Sequence, residues 1–327
     1  MTERWPKLDF EADRPVIESL HAYLQVVGKL PTRALPWCNH SWHLALRVVP
    51  RGFRSYPVFF PRGEAEVLFD CLGSTVAVET STGFSDGFEV AGQTVARFHE
   101  QLAELLKRAG IQTDISGAPN EVEEAVPFAR DKREREWDIS VLARIHRAFS
   151  DANRVFETFR TGFVGKSSPS HLFWGSFDLA VTRFSGREAP LHPGGFPNLP
   201  DRVTREAYSH EVASAGFWLG GGGVDEAAFY AYGYPTPDGY CDAEVGPEGG
   251  GIGCSRIAEA CPSTAFRNAL QISGRFSVAA MTRKALDRRR SALSAAWEQV
   301  RSSSMEAVCG FIERMHPKSA EAEGGGA

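Results

Sequence analysis

The chain has 327 residues, 43% of them hydrophobic and 24% charged, the composition of a folded globular protein long enough for one large domain or two packed halves. A net charge of −5 offers no basic stripe for a phosphate backbone, so no nucleic-acid partner is expected. No window reaches the roughly 18 uninterrupted apolar residues of a membrane span, the N-terminal residues form no apolar leader, and the six cysteines include no CxxC pair, so we expect a cytoplasmic chain with reduced thiols and no membrane partner.

Residues 14–28 place Val16, Leu20, Tyr23, Leu24 and Val27 at helical spacing and predict a first amphipathic helix. Strands are expected in HLALRVV from His43, over 66–72, and over 75–80, where TVAVET meets the turn-prone STGFSDG. The stripe Val95, Phe98, Leu102, Leu105 and Leu106 predicts a helix over 94–109, closed by Gly110. IQTDI reads as one more strand, and GAPNEVEEAVPFARDKREREWD as a charged connector.

Apolar spacing over 139–163 supports one long helix or two broken ones. A strand over 172–184, a proline and glycine loop over 190–200, a helix from about Asp201 to Ala213, a glycine loop and the aromatic strand FYAYGYP follow. This order predicts an α+β fold of antiparallel sheets flanked by helices. An N-terminal half over 1–130, a C-terminal half over 131–247 and a divergent, partly helical or disordered tail over 248–327 are expected. A His and Trp turn leading into a strand recurs at His40–Tyr56 and His171–Arg187, which suggests two related halves around a cleft; chance likeness of two amphipathic strands is the plainer account.

Residues 166–218 concentrate the chemistry. If 172–184 is one strand, Trp174, Ser176, Asp178, Ala180 and Thr182 share a face, and Asp178 lies in a semi-buried groove with Arg183 or Arg187 as its cation. An Asp tied to backbone or arginine for structure alone is the bland alternative. On the next helix Glu206 and His210, four apart, face one side and form an acid/base pair in which the carboxylate orients the imidazole. A divalent metal held by His171, His210 and Glu211 or Glu206, with His192 in reserve, competes with that reading, although His210-Glu211 lacks the second histidine of HExxH. A structural helix-to-loop network is the third. His40 and His43 of PWCNHSWH complete such a cluster if the halves face each other, and otherwise pack a turn.

Tyr230, Tyr232 and Tyr234 alternate onto one side of their strand and, with Trp174 and Trp218, can wall a pocket. The GKSS at Lys166 lacks the upstream glycine of a P-loop, and LHPGGFPNLP and LGGGGVD read as lids. Two functions from different classes follow. One is a small-molecule enzyme with His210, Glu206 and Asp178 as catalytic groups and Trp174, Arg183, Arg187, Trp218, Tyr230 and Tyr232 as substrate contacts. The other is a non-catalytic module that holds a small molecule or partner in the same aromatic-lined pocket.

The runs HLFWGSFDLAVTRFSGR, HPGG and REAYSHEVASAGFW, with HSWH upstream and FYAYGYP downstream, resemble an uncharacterised, mainly bacterial family, domain of unknown function 5996, over roughly residues 5–245. The family carries no established activity, so the resemblance implies kinship without a reaction. Leu219 stands where such sequences usually have proline. After Pro247 the chain runs GGGIGCSRIAEACPSTAFRNALQISGR in place of the family's Tyr-rich connector. A divergent tail and a shifted reading frame both account for that, and sequencing the gene separates them.

Overall fold

A computed structural model describes residues 6–221 and 226–236. Helix α1, Phe10–Ala34, outruns the apolar stripe at both ends because Asp9 caps it, accepting from Ala12 N at 3.2 Å, and the Leu35 N–H closes the last turn on Pro31 O at 3.1 Å. Helix α2, Val95–Arg108, begins on a Thr94 cap and ends before Gly110, whose φ of +83° is the left-handed turn expected there. Helix α3, Ile139–Thr161, is unbroken and is capped by Asp138, which accepts from Ser140 N and Val141 N. Helix α4, Asp201–Ala207, is short.

The strands are β1 (Leu46–Val49), β2 (Gly52–Ser55), β3 (Val58–Phe60), β4 (Gly63–Asp70), β5 (Thr75–Thr80), β6 (Ser85–Glu89), β7 (His171–Phe173), β8 (Asp178–Glu188), β9 (His210–Trp218) and β10 (Ala228–Tyr234). They form a single open antiparallel sheet in the order β10-β9-β8-β7-β1-β2-β4-β5-β6, with β3 also on β4. Residues from the two halves meet where Leu46 pairs with Leu172, so sheet and core run on across that junction.

Register sorts the two faces. Leu46, Leu172, Leu179, Phe217 and Phe229 stand opposite one another along successive strands and are buried under α1 and α3. Val76, Val78 and Phe69 continue the same face toward α2. Each fully buried side chain of this size contributes about 1.5–3 kcal/mol, so this face carries the fold. Among the described residues the other face has no helix layer of that kind. Over β1–β5 it presents charged side chains, and over β7–β10 it is roofed by the 3-10 turn Asn39–Leu44, residues 189–200 and α4.

Three expectations change. IQTDI makes no strand; Ile111 and Ile115 are buried, so its alternation reflects loop packing without a partner edge. The strand over 172–184 is a hairpin, turned at Trp174–Phe177 with Phe177 at φ 61°. The helix over 201–213 stops at Ala207, and His210–Trp218 pairs as a strand because HEVASAGFW alternates with period two once Tyr208 leaves helical geometry. The glycine loop is described at Gly220 and Gly221; Gly222 and Gly223, and the departure from the family after Pro247 together with the whole 248–327 tail, lie outside the described residues.

Candidate functional site

Small residues hollow out the roofed part of the sheet. His171, Ala180, Gly216 and Tyr230 stand in one cross-strand row over β7, β8, β9 and β10, with Phe173, Asp178, Trp218 and Ala228 in the next and Thr182, Ser214 and Tyr232 on the other side. Ala180 leaves the middle of the row low, while the Tyr230 ring covers Gly216. A cavity of about 340 Å³ lies over Ala180, bounded by Trp37, His40, Trp42, Phe196 and Tyr208. It is of a size for a small organic ligand.

Asp178 is the buried acid of this floor. Its carboxylate accepts from Ser176 Oγ and from Tyr230 OH, and the tyrosine reaches it by lying flat across β9. Gly216 permits that reach, because a Cβ there would overlap the Tyr230 ring. Beside it Thr182 Oγ1 and Ser214 Oγ stand 2.5 Å apart, and Tyr208 OH donates to Tyr232 OH at 3.2 Å. Burial raises the pKa of Asp178, and the two hydroxyl donors only partly offset it.

Glu121 is the second acid, and it comes from the charged connector. Helix α1 holds that connector through Gln25, whose side-chain amide donates to Asn120 O at 2.9 Å and accepts from Asn120 N at 2.9 Å. His21 donates to the carbonyls of Trp174 and Gly175 at 3.0 and 3.1 Å, fixing the β7–β8 turn beside it. The Glu121 carboxylate then rests on Gly175, which has no side chain to displace it. Burial and the charge of Asp178 push Glu121 up to about 7. Neither acid has an ion pair among the described residues. The buried Lys29 of α1 is engaged elsewhere: it donates to Asn120 Oδ1 and stands over the Trp174 ring, 5.3 Å from its centre.

That lack of a cation sets Asp178 apart. Asp13 pairs with Arg144 at 2.6 Å, Asp70 with Arg51 at 2.6 Å, Asp131 with Arg135 at 2.5 Å and Asp151 with Arg147 at 2.8 Å. All four are buried aspartates, and each has its arginine. Asp178, buried like them, has hydroxyls instead.

His171 forms the opposite wall. It is fully buried, and neither ring nitrogen has a hydrogen-bond partner among the described residues. Burial, with the positive charge of Arg160, lowers its pKa to about 4, so the ring is neutral. Trp42 and Phe173 pack edge-on to it.

Of the residues singled out from sequence, His171, Trp174, Asp178, Tyr230 and Tyr232 line this cavity. Trp174 is anchored by its Nε1, which donates to Leu44 O at 2.8 Å, and by seating on Gly28. Arg183 lies on the other face of the sheet, fully buried, donating to Phe159 O and stacked on the Phe159 ring, so it does not partner Asp178. Arg187 pairs with Glu211 at 2.5 Å, and Glu211 also accepts from Ser185 Oγ at 2.6 Å. Trp218 shares the Asp178 row without lining the cavity. Glu206 accepts from Trp37 Nε1 at 2.7 Å, and His210 lies beyond the helix on β9 beside Ser209 Oγ at 3.1 Å, so the two do not share a helix face.

Among the described residues no three His, Cys, Asp or Glu side chains gather to hold a metal, so His171, His210 and Glu211 are not brought together as ligands. His40 lines the cavity roof against Phe184, while His43 Nδ1 accepts from Cys38 N at 3.2 Å. His192 is buried outside the cavity lining; its Nδ1 accepts from Gly194 N at 3.0 Å, and its ring stacks on Tyr208. No helix among the described residues is long and apolar enough to cross a membrane.

Fold and site together define an α+β protein whose single antiparallel sheet carries a helix-covered core on one face and a roofed acidic cavity on the other. The chain belongs to a family of unknown function, DUF5996, which matches residues 5–251. No curated protein and no solved structure matches it.

Proposed function

We propose that the chain binds a small organic amine in this cavity, with the ammonium group on the Asp178 and Glu121 carboxylates and the apolar body among Trp42, Phe173, Trp174 and Phe196. The observation that carries the reading is the missing cation: Asp178 is buried, like the aspartates that each hold an arginine, yet has no ion-pair partner among the described residues. A charge left without a counter-ion in a low-dielectric pocket is costly to the free protein and is offset when a cation enters. Aromatic walls favour the same ligand, since ring faces attract ammonium groups.

Phenethylamine, compared with the neutral 2-phenylethanol by calorimetry and thermal shift, tests this. The amine is expected to bind and raise the melting temperature while the alcohol does not, and the preference is expected to vanish in a D178N/E121Q double variant. Equal binding of both, or none by the amine, would sink the reading.

A second reading, an enzyme acting on such an amine, draws support from Glu121. A carboxyl near 7 is matched to taking and returning a proton at neutral pH. Consumption of a bound amine by wild-type protein, lost in E121Q, is the outcome that separates enzyme from binder.

A further inference from the structure

The geometry points to His171 as a second polar contact that selects ligands bearing a neutral hydrogen-bonding group, a hydroxyl above all, close to the amine. This inference rests on the reading of the acid pair and goes beyond it, from the ligand's charge to its second functional group.

A fully buried imidazole with both nitrogens unpartnered among the described residues has two hydrogen-bonding positions to offer. A ring packed only for its shape would be replaced at no cost by an apolar one, whereas an unpaired buried donor and acceptor cost stability until something meets them. The ring stands on the cavity face, directly opposite Ala180. Asp178 lies two residues further along β8, a diagonal cross-strand neighbour at roughly 7–8 Å between backbones, so one small molecule spans both groups.

The chemistry of the partner follows from the ring's charge state. A neutral imidazole carries one N–H and one lone pair on divergent edges, and a hydroxyl can meet whichever of them it approaches, as acceptor or as donor. A second ammonium would meet only the lone pair. A carboxylate would meet only the N–H and would stand close to Asp178 and Glu121, where its charge is repelled. The favoured ligand is therefore an amino alcohol with an apolar or aromatic body.

Two probe pairs test this: phenethylamine against 2-amino-1-phenylethanol, and 3-phenylpropylamine against 3-amino-1-phenylpropan-1-ol. In wild-type protein at least one hydroxylated member is expected to bind about three- to tenfold tighter than its plain partner, the worth of a neutral hydrogen bond. In H171F that gain disappears, and the plain and hydroxylated members of each pair bind alike. Should H171F fail to fold, the His171 ring 15N resonances of the wild-type protein give the answer, shifting with the hydroxylated amine more than with the plain one. A hydroxyl gain that survives H171F, no gain in either pair, or ring resonances blind to the hydroxyl overturns the assignment while leaving the acid pair intact. If no amine binds at all, the acid-pair reading falls and this one with it.

Discussion

One face of the sheet treats charge in two opposite ways. Over β1–β5 Glu66 takes both Arg47 and Arg54, and Arg54 also reaches Glu79 at 2.9 Å, a network of half-buried groups at the water's edge. Over β8–β10 Asp178 and, from the connector, Glu121 share a roofed hollow in which neither has an ion-pair partner among the described residues. Paired charges at a surface neither gain nor cost much. Unpaired ones under a roof are a standing cost to the fold, and proteins keep such costs where binding relieves them.

Gly216→Ala strikes the cavity hardest. The added Cβ displaces Tyr230, so amine affinity should fall at least tenfold and stability by about 1–3 kcal/mol through overpacking, read by calorimetry and chemical denaturation. An unchanged amine affinity would show that the Tyr230 bond to Asp178 is irrelevant to the site.

Asp131→Asn and Glu121→Gln should move stability in opposite directions. Two arginines hold Asp131 down to about 2, below its ordinary 3.8, so its contribution is present above that ordinary value and is lost as pH falls toward 2. Removing it at pH 7 should cost about 1–2 kcal/mol. Glu121 is shifted up to about 7 from an ordinary 4.5, so it favours the folded state at low pH and weakens it as pH rises between those values. Glu121→Gln should match wild type near pH 4 and exceed it at pH 8 by about 1–2 kcal/mol. Melting curves of both variants across that range check the signs.

His171 predicts an acid limit. Its pKa is depressed to about 4 from 6.5, so it leaves stability untouched above 6.5 and weakens the fold as pH falls from there toward about 4. H171F should flatten the wild-type decline in melting temperature over that window. The smallest effect is expected from Glu66→Gln on the exposed network, within about 1 kcal/mol at neutral pH. A larger loss there would erase the contrast between the two ends of the sheet.

Much of this was legible beforehand. Period-two alternation placed Tyr230, Tyr232 and Tyr234 on one face and Asp178 with Ala180 and Thr182 on another, and register joins those faces into one floor. The same parity already argues against Arg183 as the partner of Asp178, since residues an odd number apart point to opposite sides of a strand. Gly216 gave no such signal, because a helix was expected over 201–213; only with β9 in place does a glycine inside a strand mark the close approach of Tyr230. Glu206 and His210 misled because a four-residue spacing has helical meaning only while the helix lasts, and Tyr208 ends it. Glu121 had no local signal: it sits in a patternless connector, and Gln25, almost a hundred positions earlier, places it through a backbone clamp.

The most direct test of an acid pair without a counter-ion is a 13C titration of the side-chain carboxyls, with Glu121 assigned by its absence in E121Q. The account predicts a midpoint near 7 in the free protein that drops when phenethylamine saturates the cavity. A midpoint at the ordinary 4.5, unmoved by the amine, would contradict it.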